Sequence, residues 1–253
     1  MLMRAAAAFL IVLLFAPSVS AAEIRVLCAN ALNIAAKELA TSFTKQTGHQ
    51  VAFTFGTPGP MQARFDKGEP FELVILPIAG MEQSDKAGKF RSGTRQSMVR
   101  VGVGVAARQG GKMPDLSSPE ALKTSLLEAK TITYSDSSTG GLSGLSVQKV
   151  LANLGIADQV KAKAKAVSQN EGQAMVGRGE AEYGLYNVSE IPRAPGVVLA
   201  GPVPRAVQAY IIYDAAIPAS NAEPAPATQL MQFFMSPAAQ PVWAKAGLEI
   251  AKD

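Results

Sequence analysis

Apolar residues recur along this chain with two different periods, and their alternation sets out the elements. Glu23–Leu27 (EIRVL) reads as a first strand, followed by the short loop Cys28-Ala29-Asn30-Ala31. Leu32, Ala36, Leu39 and Phe43 then recur at helical spacing, and that helix stops at Gly48. Val51, Phe53 and Phe55 alternate as a second strand, and Gly56-Thr57-Pro58-Gly59-Pro60 is the next loop. Pro60 suits the first position of a short helix carrying Met61 and Phe65. Phe71–Leu76 is a continuous apolar run, as in a parallel strand buried on both faces. Three strand–helix units in succession predict a parallel α/β sheet, whose ligands collect beyond the carboxyl ends of its strands. That edge should carry residues 29–31, 56–58 and 76–78.

The pattern changes at Gln96–Ala107 (QSMVRVGVGVAA), where valines alternate with Arg100, Gly102 and Gly104. Two readings fit: a crossover strand that packs closely or bends on its way into a second lobe, or a strand with a simple bulge. Ser118-Pro119 opens a helix through Ala129, with Ser118 as N-cap. Thr131–Gly144 (TITYSDSSTGGLSG) is the stretch around which the rest is organised. A β-rich segment feeds a loop of hydroxyls and glycines, and Val147, Val150, Leu151 and Leu154 then mark one face of a helix closed by Gly155. Such a junction aims free N–H groups and the positive end of the helix dipole at whatever stands before it. Ser135, Ser137, Ser138 and Thr139 add hydroxyls. This is one wall of an anion site or a plain capped connection.

Beyond it, residues 156–167 lead to a short strand. Asn170-Glu171 begins a helix that stops at Arg178-Gly179, and Glu182–Val188 is a strand. Prolines 192, 195, 202 and 204 punctuate a loop-rich return, and Val207–Asp214 is an apolar strand suited to the reverse crossover. A final helical region, 228–247, is broken at Ser236-Pro237.

The first 22 residues change the setting. Arg4, the apolar run Ala5–Ala16 and the small residues Val19–Ala22 read as a secretory signal, and the apolar run is too short to span a bilayer. The expected mature protein is exported and soluble. Cys28 is the single cysteine, so no internal disulfide is possible, and Leu27 before it does not suit a lipoprotein signal. Net charge is +4, with scattered cations and few aromatics, which argues against nucleic-acid binding. His49 is the only histidine and stands at the wrong end of its strand for catalysis. No phosphate-binding glycine loop, nucleophile elbow or metal-ligand cluster is present, so no cofactor or metal is expected.

Four segments together, Val101–Arg108, Thr131–Gly144, Asn170–Tyr186 and Phe233–Leu248, resemble the periplasmic solute-binding proteins of ABC importers, in the molybdate-binding branch. The resemblance implies an α/β, two-lobed periplasmic-binding-protein fold of type II with two crossover hinge strands. It implies a signal peptide over 1–22, lobe one from 23–103 and 203–253, and lobe two from 104–202. It implies a periplasmic, monomeric, non-enzymatic protein that hands a small anion, an oxyanion or carboxylate, to an ABC transporter permease. The binding positions it implies are Ala29, Asn30, Ala31, Gly56, Thr57 and Pro77 in lobe one. In lobe two they are Ser135, Ser137, Ser138, Thr139, Gly140, Asn170, Glu171 and Tyr186, whose hydroxyl closes on the ligand. Asn30 and Thr57 stand where small hydroxyls and glycines are usual, which suits a carboxylate better than molybdate. A carboxylate would call for an arginine fork, with Arg64, Arg95 and Arg205 as candidates. The family includes an enzymatic offshoot, an aconitate isomerase, which is the competing expectation. Such a reaction needs a base and an acid near the α-carbon, for which only Asp136 and Tyr186 offer themselves.

Overall fold

The computed structural model describes residues 21–139, 142–191 and 194–251, and of Thr139 only the backbone. The segment read as an export signal and the position Gly140 therefore lie outside the described residues, save for Ala21 and Ala22. In chain order the elements are β1 (Glu23–Ala29), α1 (Asn33–Thr47), β2 (Gln50–Gly56), α2 (Pro58–Asp66), β3 (Leu73–Pro77) and α3 (Ile78–Lys86). Then come β4 (Gln96–Arg108), α4 (Pro119–Glu128), β5 (Ile132–Ser135), α5 (Leu142–Asn153), α6 (Ala157–Lys161), β6 (Ala164–Val167), α7 (Gln169–Arg178) and β7 (Tyr183–Asn187). The chain ends through β8 (Val197–Pro202), β9 (Tyr210–Ala216), α8 (Pro224–Met235), α9 (Gln240–Lys245) and β10 (Leu248–Ile250).

Strands run in the order β2-β1-β3-β9-β4-β7-β5-β6, with β8 and β10 also paired to β4. β1 lies parallel to β2 and β3, and β5 parallel to β6 and β7. Each parallel set is what successive strand–helix units build, since a parallel neighbour requires a crossover. The two sets form the sheets of two lobes, and β4 runs through both. Its first half, Gln96–Gly102, pairs with β9, and its second half, Val103–Arg108, pairs with β7 and β8.

The apolar core divides where β4 changes partners. Val99 and Val101 pack with Leu27, Leu76, Phe43 and Trp243 in one cluster. Val103 and Val105 pack with Ile132, Val147, Leu151 and Leu185 in another. The return crossing is made by β8 and β9 together. Val203 donates its N–H to the Val103 carbonyl, after which the chain leaves the ladder until Tyr210 pairs with Gly102. Gln208 fills the interval with its side chain. Its Oε1 accepts from Val103 N at 2.7 Å and its Nε2 donates to the Val103 carbonyl at 3.0 Å. Gly102 leaves room for this amide, since a Cβ there would overlap the Gln208 side chain as it stands.

The capping expectations are met at Ser118, whose hydroxyl accepts from Ala121 N, and α2 opens with Pro58 rather than Pro60 at its first turn. His49 is buried, stacks on Phe43 and accepts from Ala22 N, as suits a structural histidine. Among the described residues no helix is long and apolar enough to cross a membrane, and no cluster of side chains could hold a metal ion.

Candidate functional site

The carboxyl ends of the strands in both lobes face one another across a cavity of about 320 Å³. That volume lies at the lower end of the range for small-molecule sites, roughly 300–1,000 Å³. Lobe one supplies Ala29, Asn30 and Ala31 from the turn after β1, and Thr57 and Pro58 at the start of α2. Ile211 and Tyr213 on β9 form the floor between the lobes. Lobe two supplies Ser135 and Asp136 after β5, Leu142 and Ser143 at the start of α5, and Val167–Asn170 at the start of α7. Asn187 and Glu190, after β7, complete the wall.

Three helix starts therefore converge on one volume. At α7 the Ser168 hydroxyl accepts from Glu171 N and the Ser168 carbonyl from Gly172 N, which leaves the first N–H groups, at Gln169 and Asn170, at the cavity. At the turn before α1, Asn33 N donates to the Asn30 carbonyl, and Asn30 and Ala31 present their own N–H groups. The α5 start is held against β5 by Gly144, where any Cβ would overlap the Ser135 carbonyl oxygen. Pro58 has no N–H to give, so α2 contributes the Thr57 side chain rather than an amide at this edge. Helix starts of this kind favour negative charge in front of them.

Of the residues expected from the sequence, Ala29, Asn30, Ala31, Thr57, Ser135 and Asn170 line the cavity. Gly56, Pro77, Ser137, Ser138, Glu171 and Tyr186 do not. Gly56 and Pro77 end their strands beside it. Ser138 turns inward on its own loop, donating through N and Oγ to the Asp136 carboxylate at 2.9 and 2.7 Å. Those bonds, the backbone one first, hold Asp136 below the usual carboxylate range and so keep it ionised at neutral pH. Thr139 closes the same turn. Glu171 gives its N–H to Ser168 and its carboxylate to Arg178.

Tyr186 is a structural residue. It is fully buried, with its hydroxyl donating to Thr133 Oγ1 at 2.8 Å. Burial pushes its pKa up to about 12, against the opposing pull of the Thr133 bond. Its hydroxyl fills the space that a Cβ on Gly172 would take. Strand alternation explains the miss: Tyr183 and Leu185 face the α5 side, Tyr186 faces α7, and Asn187 returns to the cavity. Tyr186→Phe is expected to cost about 1 kcal/mol of stability in urea denaturation, the worth of one buried hydrogen bond. Ligand affinity should stay within about twofold of the native value, since one such bond lies outside the cavity.

None of the three candidate arginines reaches the cavity. Arg64 pairs with Glu69, Arg95 with Asp85 and Asp214, and Arg205 with Glu249. Among the described residues the cavity wall carries no lysine or arginine and two carboxylates, Asp136 and Glu190. Glu190 accepts from Asn187 Nδ2 at 2.9 Å through Oε2. Sequence reading missed Ser143, Ser168, Gln169, Asn187, Glu190 and Tyr213. The N-cap signature Ser168-x-x-Glu171 was available for two of them.

Comparison with known proteins extends this picture. An aconitate isomerase from a Pseudomonas species is 27% identical over 219 residues, 84% of this chain and 82% of that protein. The molybdate-binding protein of Azotobacter vinelandii is 27% identical over 184 residues, 70% of this chain and 69% of that protein. The structure of the Azotobacter protein superposes with a TM-score of 0.69, covering 90% of this chain and all of the other at 24% identity. The sulfate-binding protein SubI from Mycobacterium tuberculosis gives 0.69 at 18% identity, covering 91% of this chain and 88% of the other. At those identities the structures speak for the fold alone. The family model of the bacterial extracellular solute-binding proteins matches residues 24–249, and the chain belongs to that family.

Proposed function

We propose that this protein captures a small anion, an oxyanion or carboxylate, between its two lobes in the periplasm and presents it, as a monomer, to the permease of an ABC importer. One observation carries the reading: the starts of three separate helices, at Asn30–Ala31, Leu142–Ser143 and Gln169–Asn170, border a single cavity. Because donors come from both lobes, affinity rises as the lobes shut. The lobes are taken as 23–103 with 203–253, and 104–202. The second boundary is better drawn after Ala209, because Val203, Val207 and Ala209 pack with the second core.

The likeness to a molybdate-binding protein supports an oxyanion. The cavity volume, and Asn30 and Thr57 where smaller groups would grip a tetrahedral ion, favour a carboxylate. A thermal-shift panel of molybdate, tungstate, sulfate, phosphate, and di- and tricarboxylates on the mature chain tests the reading. An anion present at about one hundred times its Kd stabilises by about 2.7 kcal/mol. A panel without any shift would overturn it.

A second reading has specific support. The aconitate isomerase likeness and the two wall carboxylates, Asp136 and Glu190, are what an exported isomerase of a tricarboxylic acid would use. Time-dependent interconversion of cis- and trans-aconitate by the purified chain would establish it, and a flat time course would leave binding alone.

A further inference from the structure

Asn187 on the cavity wall has its amide orientation dictated by a neighbour. A carboxylate oxygen can only accept, so the group facing Glu190 Oε2 at 2.9 Å must be the Nδ2 donor. Oδ1 is then the free end of the side chain. It is buried, the residue is only 3% exposed, and among the described residues no group donates to it. Across the wall, Ser135 Oγ is likewise buried without a partner, and Ser135 is 8% exposed. Buried polar atoms are nearly always satisfied, and an amide oxygen can be satisfied only by a donor. On the lobe-one side, Asn30 Oδ1 is taken by Asn33 Nδ2, which leaves the Asn30 amide as a donor. The cavity thus has donors at its helix starts and at Asn30, and Asn187, which lines it, holds a buried acceptor that is left unsatisfied.

We propose that the physiological ligand is an anion carrying its own hydrogen-bond donor, a hydroxyl or an acid proton, and that Asn187 Oδ1 reads that donor. This rests on the anion-capture reading and narrows it. Fully deprotonated oxyanions have only acceptor oxygens, and each would leave Asn187 Oδ1 desolvated without a partner. Hydroxycarboxylates and hydrogen phosphate meet both needs: their ionised oxygens take the N–H groups, and their O–H donates to Asn187. Hydroxyl-reading sites discriminate sharply for this reason, because the analogue lacking the group strands a buried polar atom.

The test is isothermal titration of the mature chain with three matched pairs: citrate and tricarballylate, malate and succinate, hydrogen phosphate and sulfate. The first member of each pair carries an O–H that the second lacks. Where a pair binds, the donor-bearing member is expected to bind at least about tenfold tighter. In Asn187→Ala that ratio should fall to about one. Equal or tighter binding of the donor-free members by the native chain would overturn the proposal while leaving anion capture standing. A ratio unchanged in Asn187→Ala would overturn the assignment to that residue. If Asn187→Ala does not fold, the native-chain ratios alone decide between the first two outcomes. No heat from any of the six would overturn this proposal, and a wider anion panel that also gives no shift would overturn anion capture with it.

Discussion

Replacing Gly144 with valine is expected to lower stability by about 3 kcal/mol and to abolish ligand-induced thermal stabilisation together with it. Gly144 lies in the first turn of α5, directly against the end of β5. A Cβ there would overlap the carbonyl oxygen of Ser135 and press on the backbone N of Ser137 at 3.1 Å. Both obstacles are main chain, so no rotamer change relieves them, and the helix must lift from the sheet. Val147 and Leu151 on the same helix belong to the second core and would be dragged out of register. The same displacement moves Ser135, Leu142 and Ser143, which border the cavity. Urea denaturation should show a lower midpoint at unchanged slope, and the anion panel should show no shift. A valine variant with native stability would mean that α5 sits further from β5 than described.

The other large effect is expected at Trp243. Trp243→Ala should cost about 4 kcal/mol, near the middle of the range for buried aromatic truncation. The indole is wholly buried in the first core, meets Phe234 edge-on at 5.8 Å and donates Nε1–H to the Phe234 carbonyl at 2.8 Å. That bond caps the end of α8 from within α9, so truncation opens a cavity and strands a carbonyl at once. α9 leads into β10, which pairs with Val99–Val101 of β4. Because Trp243 is the only tryptophan, the variant must be followed by circular dichroism, with a midpoint shift matching the predicted loss. A loss below about 1 kcal/mol would mean the site collapses around the gap.

The first lobe was legible because its strands are either evenly alternating or wholly apolar, and β2 and β3 end at Gly56 and Pro77. The passage of β4 between lobes was legible from its length and its two glycines. β8 was read as loop because prolines surround it. It persists as a strand because Gly104–Arg108 supply its partners. β10 has three residues and no pattern of its own; only β4 makes it a strand. At the site, Ser135 and Asn170 could be found because helix starts announce themselves locally. Tyr213 could not. It sits on an apolar strand packed on both sides, where neighbouring residues give no sign of which face looks into the cavity. Tyr186 and Asn187 are adjacent, and assigning the wrong one of the two inverted a core residue and a wall residue.

The glutamine that stands in for missing strand at Val103 has a mechanical consequence. An ordinary ladder resists flexing because every rung is rigid peptide. Here the rung at the join between the two cores is a side chain with three rotatable torsions, gripping one residue through both its N–H and its carbonyl. When one half of the molecule swings against the other, Gln208 can follow the moving rung without letting go, so the joint flexes while its polar groups stay paired.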